Sequence, residues 1–197
     1  MYGYQPDADS DITVTAGATE ALYAAITALV RNGDEVICFD PSYDSYSPAI
    51  ALSGGIVKRM ALQPPHFRVD WQEFAALLSE RTRLVILTTL RITPVQLSGS
   101  RLISPLCGRR SPGTRFLSLA MKSTSTSTFH NRAIASVLAH PQLRERAVAV
   151  SSFGKTYHMT GWKVGLLCCA SAHQRRNSQG TSVSDLFGEY PGTAGAC

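Results

Sequence analysis

Between Ile12 and Leu87, short runs of β-branched residues alternate with stretches of helical periodicity, and this rhythm constrains the fold more than any other feature. ITVT at Ile12 to Thr15 is followed by Leu22, Ala25, Ile26 and Leu29, spaced to share one face of a helix. VICF at Val36 to Phe39 comes next, then the turn DPSYD, a short helical stretch around Ser47 to Leu52, a break at Gly54 and Gly55, and the strand-like IVKRMAL. Asp70 with Glu73 has the spacing of a capping box and introduces Trp71, Phe74, Leu77 and Leu78 on one face, ahead of the strand RLVIL at Arg83 to Leu87. Strands that alternate with helices need crossover connections, so the expected fold class is α/β, with a mostly parallel sheet and crossover helices.

The chain has 197 residues, long enough to bury a core in one domain. Hydrophobic content of 44% against 17% charged residues fits a globular protein, and no apolar run reaches the roughly 18 residues that a membrane crossing needs. MYGYQPDADSD lacks both a basic start with an apolar stretch and an Arg-rich pattern, which points to no secretory or transit signal and to the cytoplasm. Cys38, Cys107, Cys168, Cys169 and Cys197 make an odd count without metal-type spacing, so reduced thiols and no metal are expected.

The net charge of +5 is concentrated. No Asp or Glu occurs between Glu80 and Glu145, while Arg81, Arg83, Arg91, Arg101, Arg109, Arg110, Arg115, Lys122, Arg132 and Arg144 all lie there. In this block TTLRITPVQLSGSRLISPLCGRRSPGTRF and MKSTSTSTFHN hold neither period for long, and their Ser, Thr, Gly and Pro content predicts loop or disorder. Order is expected again from ASVLAHPQLRERAVAVSSFGKTYHMTGWKVG, where RAVAVSSF reads as a strand feeding a lysine-bearing loop. From Leu166 onward the pattern is lost.

Three segments carry candidate chemistry. TAGATEALYAAI sets Gly17, Ala18 and Thr19 between a strand and a helix, where free N–H groups and the positive dipole end suit a phosphate; most such junctions bind nothing. FDPSYDSY puts Tyr43 just beyond a strand's C-terminal end, where a ring could stack on a flat cofactor or simply pack its own loop. SSFGKTYHMTGWKVG places Lys155 after a strand, among hydroxyls and ahead of a second cation at Lys163, a setting in which a lysine can form a Schiff base rather than serve as a solvated surface charge.

The third segment closely resembles the lysine signature of class I pyridoxal-phosphate-dependent aminotransferases, and the first two then match in the family's order. GATEALYAAITALV, DEVICFDPSYDSY and SSFGKTYHMTGWKVG are most similar to the methionine and kynurenine aminotransferase branch, over about residues 2–87 and 133–165. The resemblance implies that Lys155 carries pyridoxal 5'-phosphate and is catalytic. It also implies that Ala18 and Thr19 form the phosphate-binding turn, that Tyr43 stacks on the ring, and that Ser152 and Lys163 contact the phosphate. By the same resemblance the substrates are an L-amino acid (methionine, aromatic or kynurenine-like) and a 2-oxo acid. Residues 1–165 would then be a partial large domain with the small domain missing, and 166–197 a tail outside the family, disordered. Family members are homodimers with sites at the interface, completed by an upstream segment absent before Met1.

Two family features are missing from the protein sequence: an Asn-Pro loop after the strand ending near Leu87, and an Asp-Glu-Val-Tyr stretch whose Asp pairs with the pyridine nitrogen. Codon arithmetic recovers both. Thr89 to Pro94 can be encoded ACA CTC CGC ATA ACC CCA, and regrouping after two bases gives Thr-Pro-His-Asn-Pro. Ala120 to Thr124 can be encoded GCG ATG AAG TCT ACG, and the same regrouping gives Asp-Glu-Val-Tyr. The shared offset predicts that residues 88–132 are read out of frame, with the frame restored near 133 and shifted again after Gly165. Strands encoded in the shifted block would then be absent from the middle of the sheet. Two readings compete: a basic nucleic-acid-binding insert from Arg81 to Arg132, which has few aromatics for stacking, and an α/β interaction fragment without cofactor.

Overall fold

In the computed structural model, residues 5–9, 11–65, 67, 69–88, 117–122, 138, 144 and 146–169 are described, 117–122 by backbone alone. Seven strands form one sheet in the order β1-β7-β6-β5-β4-β2-β3. They are β1 Ile12–Thr15, β2 Glu35–Asp40, β3 Ile56–Ala61, β4 Thr82–Thr88, β5 Leu117–Lys122, β6 Ala147–Ser152 and β7 Gly165–Cys169. β2 to β6 pair in parallel, and β7 runs antiparallel to both β6 and β1. The helices are α1 Ala18–Leu29, α2 Tyr46–Leu52, α3 Trp71–Leu77 and α4 Phe153–Thr156.

The sheet is buried on both faces, as a parallel sheet with crossover helices must be. Val36 and Cys38 of β2, Leu84 and Ile86 of β4, and Val148 and Val150 of β6 face Leu22, Ala25 and Ile26 of α1 and Ile50 of α2. The alternate residues Ile37, Phe39, Val85, Leu87 and Ala147 join Phe74 of α3 on the other face. Leu22 and Ile26 are fully buried, a gain of about 1.5–3 kcal/mol for each such side chain. Asp70 caps α3 by accepting from the N–H groups of Gln72 (2.8 Å) and Glu73 (3.2 Å), the capping role expected of it.

Two expectations are corrected. The middle of the sheet does not lack a strand: β5 lies inside the block read as out of frame and pairs from Leu84↔Leu117 to Thr88↔Met121 on one side and from Ser118↔Ala147 to Lys122↔Ser151 on the other. LSLAMK alternates apolar residues at Leu117, Leu119 and Met121, a period-two pattern too short to stand out in a Ser- and Thr-rich stretch. The pattern also does not stop at Gly165, because GLLCC forms β7, with Leu167 and Cys169 buried. Residues 89–116, 123–137, 139–143, 145 and 170–197 lie outside the described residues, Cys107 and Cys197 among them.

Candidate cofactor site

Strand direction decides where the three chemical segments meet. The C-terminal ends of β1 and β6 flank the first residue of β7, since Thr15 and Ser152 both pair with Gly165. The turn after β1, the loop after β6 and the return into β7 therefore share one edge of the sheet. This is the edge at which open parallel sheets bind ligands.

Helix α1 starts abruptly at that edge. Gly17 adopts φ +93°, where only glycine is unstrained, and no side chain caps the helix. The turn is tied locally: the Ala16 N–H donates to the Glu20 carboxylate, and the Thr15 hydroxyl donates to the Gly17 carbonyl at 3.0 Å. Gly165 lies directly beneath it. A Cβ on Gly165 would fall 2.5 Å from the carbonyl carbon of Gly17 and 2.6 Å from the Ala18 nitrogen, so the two backbones meet with no room for a side chain. Gly165 is thus a site-shaping residue that pattern reading quoted without assigning; the glycine closing GWKVG was its only signal.

The lysine loop is compact. Lys155 lies in the one-turn helix α4 and is exposed, so the expected loop lysine sits on a helical turn. The Phe153 N–H donates to Val164 O at 3.1 Å and Met159 N–H to Gly154 O at 2.9 Å, folding the loop back on itself. A short 3-10 helix, Thr160–Trp162, leads to Lys163, which is exposed and held at φ +53°; His158 stands at φ +55°. Left-handed backbone at non-glycine residues costs roughly 1–3 kcal/mol each and gathers at functional sites. Lys163 also brings its carbonyl within 3.8 Å of the Cβ direction of Gly17.

Tyr43 closes the constellation. Hydrogen bonds to Ser45 and then to Thr19 hold its hydroxyl below the ordinary tyrosine range; partial burial and Asp44 push the other way, and the Lys155 charge adds to the lowering. Thr19 and Lys155 thus both bear on the Tyr43 hydroxyl, although the three residues come from separate parts of the chain. Ala18 is buried and Thr19 exposed at the helix start, and Ser152 is half-buried at the end of β6. Together these groups offer an anion a helix N-terminus, hydroxyls and a cation, and they offer a carbonyl compound an exposed primary amine beside an aromatic face. Among the described residues, no group of His, Cys, Asp and Glu is placed to hold a metal ion, and no helix is long and apolar enough to cross a membrane.

The fold is that of class I aminotransferases. The family described as aminotransferase class I and II matches residues 2–91, and the relatives this chain resembles carry aminotransferase names. A methionine aminotransferase of Escherichia coli (strain K12) is 72% identical over 172 residues, covering 87% of this chain and 44% of that protein. The kynurenine–oxoglutarate transaminase of Dictyostelium discoideum is 31% identical over 83% of this chain and 41% of its own length. A crystal structure from Escherichia coli, described as identifying a methionine aminotransferase function, superposes with a TM-score of 0.81 at 63% identity, over 94% of this chain and 51% of the other. An aromatic aminotransferase structure from Pyrococcus horikoshii, 22% identical, shares the fold with a TM-score of 0.79. The chain therefore spans about half the length, or somewhat less, of the relatives it matches.

Proposed function

We propose that this chain is the cofactor-binding part of an aminotransferase that moves an amino group from an L-amino acid to a 2-oxo acid, with pyridoxal 5'-phosphate held by Lys155. The observation that carries the reading is the meeting of the α1 turn and the Lys155 loop at one sheet edge, where Thr15 and Ser152 both pair with Gly165 and Lys163 backs Gly17. The residues present suit a phosphorylated aromatic aldehyde: the uncapped α1 N-terminus and the backbone contact between Gly17 and Gly165 leave the turn open to an anion.

In this reading Ala18, Thr19, Ser152 and Lys163 would hold the phosphate, Tyr43 would cover one face of the ring, and Lys155 would supply the amine that holds the aldehyde carbon. The bound cofactor supplies an electron sink for negative charge developing at the substrate's α-carbon. The Nζ of Lys155 is also the base placed to take the α-proton. Methionine is the favoured amino donor, on the strength of the 72% identical relative. A cytoplasmic location belongs to the same proposal; the homodimer is proposed for the family's whole protein and not for this chain.

The acid that the family sets against the pyridine nitrogen is missing from residues 88–132, so this chain is expected to hold the cofactor and to turn over negligibly. The family match ending at residue 91, where the basic block departs from the family pattern, favours the out-of-frame reading of that block over the nucleic-acid-binding one. Gene sequencing across codons 88 to 133 tests it: absence of aminotransferase codons in the shifted frame would end that explanation.

The cofactor assignment is tested by titrating the chain with pyridoxal phosphate, trapping with borohydride and mapping the labelled peptide. Label is expected on Lys155 and lost in Lys155→Ala. Label spread over other lysines, or none, would overturn the assignment.

A further inference from the structure

Behind Tyr43 stands a second tyrosine to which no role has been given. Tyr46, the first residue of α2, is 1% exposed where Tyr43 is 37% exposed. The rings meet edge to face, with centroids 5.7 Å apart and planes at 77°, and the Tyr46 N–H donates to the Tyr43 carbonyl at 3.2 Å. The Tyr46 hydroxyl lies 2.9 Å from the hydroxyl of Thr88, the last residue of β4 and 42 positions away. Burial pushes the Tyr46 hydroxyl up to about 12, so it stays protonated at neutral pH and keeps its donor.

A surface tyrosine on a five-residue turn has two side-chain torsions, and a fixed ring packed against it limits both. Here the backing ring is fixed at both ends, by helix α2 at its Cα and by Thr88 at its hydroxyl. We propose that Tyr46 is a positioning residue: anchored on Thr88, its ring sets the plane in which Tyr43 faces the cofactor site. This rests on the assignment of pyridoxal phosphate to Lys155. Thr88 thereby ties the end of β4, at the centre of the sheet, to the aromatic wall of the site.

The test uses the full chain, with three readouts: pyridoxal-phosphate affinity, the circular dichroism of the bound cofactor's visible band, and the thermal midpoint without cofactor. Tyr46→Phe removes only the hydroxyl, and Thr88→Val removes only its partner. Each is expected to weaken cofactor binding about three- to tenfold, the weight of one hydrogen bond, and to change the visible dichroism. The double variant should lose less than the sum of the two single losses, since both remove the Tyr46–Thr88 contact. Thr88→Ser, which keeps the hydroxyl, should restore both signals. Thermal midpoints that fall while affinity and dichroism stay at wild-type values would show the pair to be merely structural and overturn the proposal. Failure of the wild-type chain to take label at Lys155 would instead overturn the cofactor assignment, and the positioning role with it.

Discussion

The two ends of the parallel strands both gather charge and both hold ion pairs, Asp40–Arg59 among them at the C-terminal end, but they differ in how much charge is left over. At the N-terminal end, Glu35 opens β2 with its side chain only 3% exposed, yet Lys58 meets it at 2.6 Å, Arg81 at 3.0 Å, and the Ser79 hydroxyl donates to it. At the C-terminal end, Lys155 and Lys163 are exposed, and among the described residues neither is in an ion pair. Charges that satisfy one another hold strands together, whereas exposed cations outside an ion pair are available to an anion. In the proposed reading the contrast separates scaffold from cofactor site within one sheet.

The strongest test of that division is Leu22→Ala. It empties a fully buried position between α1 and the sheet and is expected to cost about 2–5 kcal/mol, read from the urea unfolding midpoint. In the fraction still folded, Lys155 should label as in the wild type; lost labelling there would show that scaffold and site are not separable.

Gly165→Ala comes next and attacks the junction between them. The added methyl would collide with the Gly17 backbone, costing about 1–3 kcal/mol and displacing the α1 turn. Cofactor labelling should fall by more than the stability loss alone explains. A variant with wild-type labelling would disconnect the turn from the site.

The smallest effect is expected at Glu35. Burial alone would raise its carboxyl, but hydrogen bonds from Lys58 and Ser79 and the charges of Lys58 and Arg81 outweigh it, and the net shift is below the ordinary carboxylate value of 4.5. A lowered folded pKa means stability that is fully present above the unfolded value and lost as pH falls through the folded one. Thermal midpoints should therefore drop on acidification below about pH 4.5 in the wild type and drop less in Glu35→Gln, which at neutral pH costs about 1–3 kcal/mol. Identical acid profiles would remove Glu35 from the account of that end of the sheet.

Much of the scaffold was legible in the residues because local pattern and burial agree there. Leu22, Ala25 and Ile26 share a helical face and are buried, and Asp70 caps the helix its spacing announced. β5 and β7 escaped because LSLAMK and GLLCC are short strands whose identity comes from their neighbours' hydrogen bonds rather than from their own composition. At the site, Lys155, Thr19 and Tyr43 stood out through motif spacing. Gly165, Tyr46 and Thr88 did not, because their roles are contacts with chain that is distant in sequence: a missing Cβ beneath Gly17 and a hydroxyl pair bridging 42 residues.

By itself the sequence determined the α/β rhythm, the family and the groups available for chemistry, since these depend on residue type and short-range order. Only the tertiary structure decided that β7 enters antiparallel beside β6 and β1 and that Gly165 therefore lies under the α1 turn. It alone also decided that the Tyr46 hydroxyl meets Thr88. Strand order and register are settled by long-range pairing and two-sided burial, which no local stretch of residues encodes.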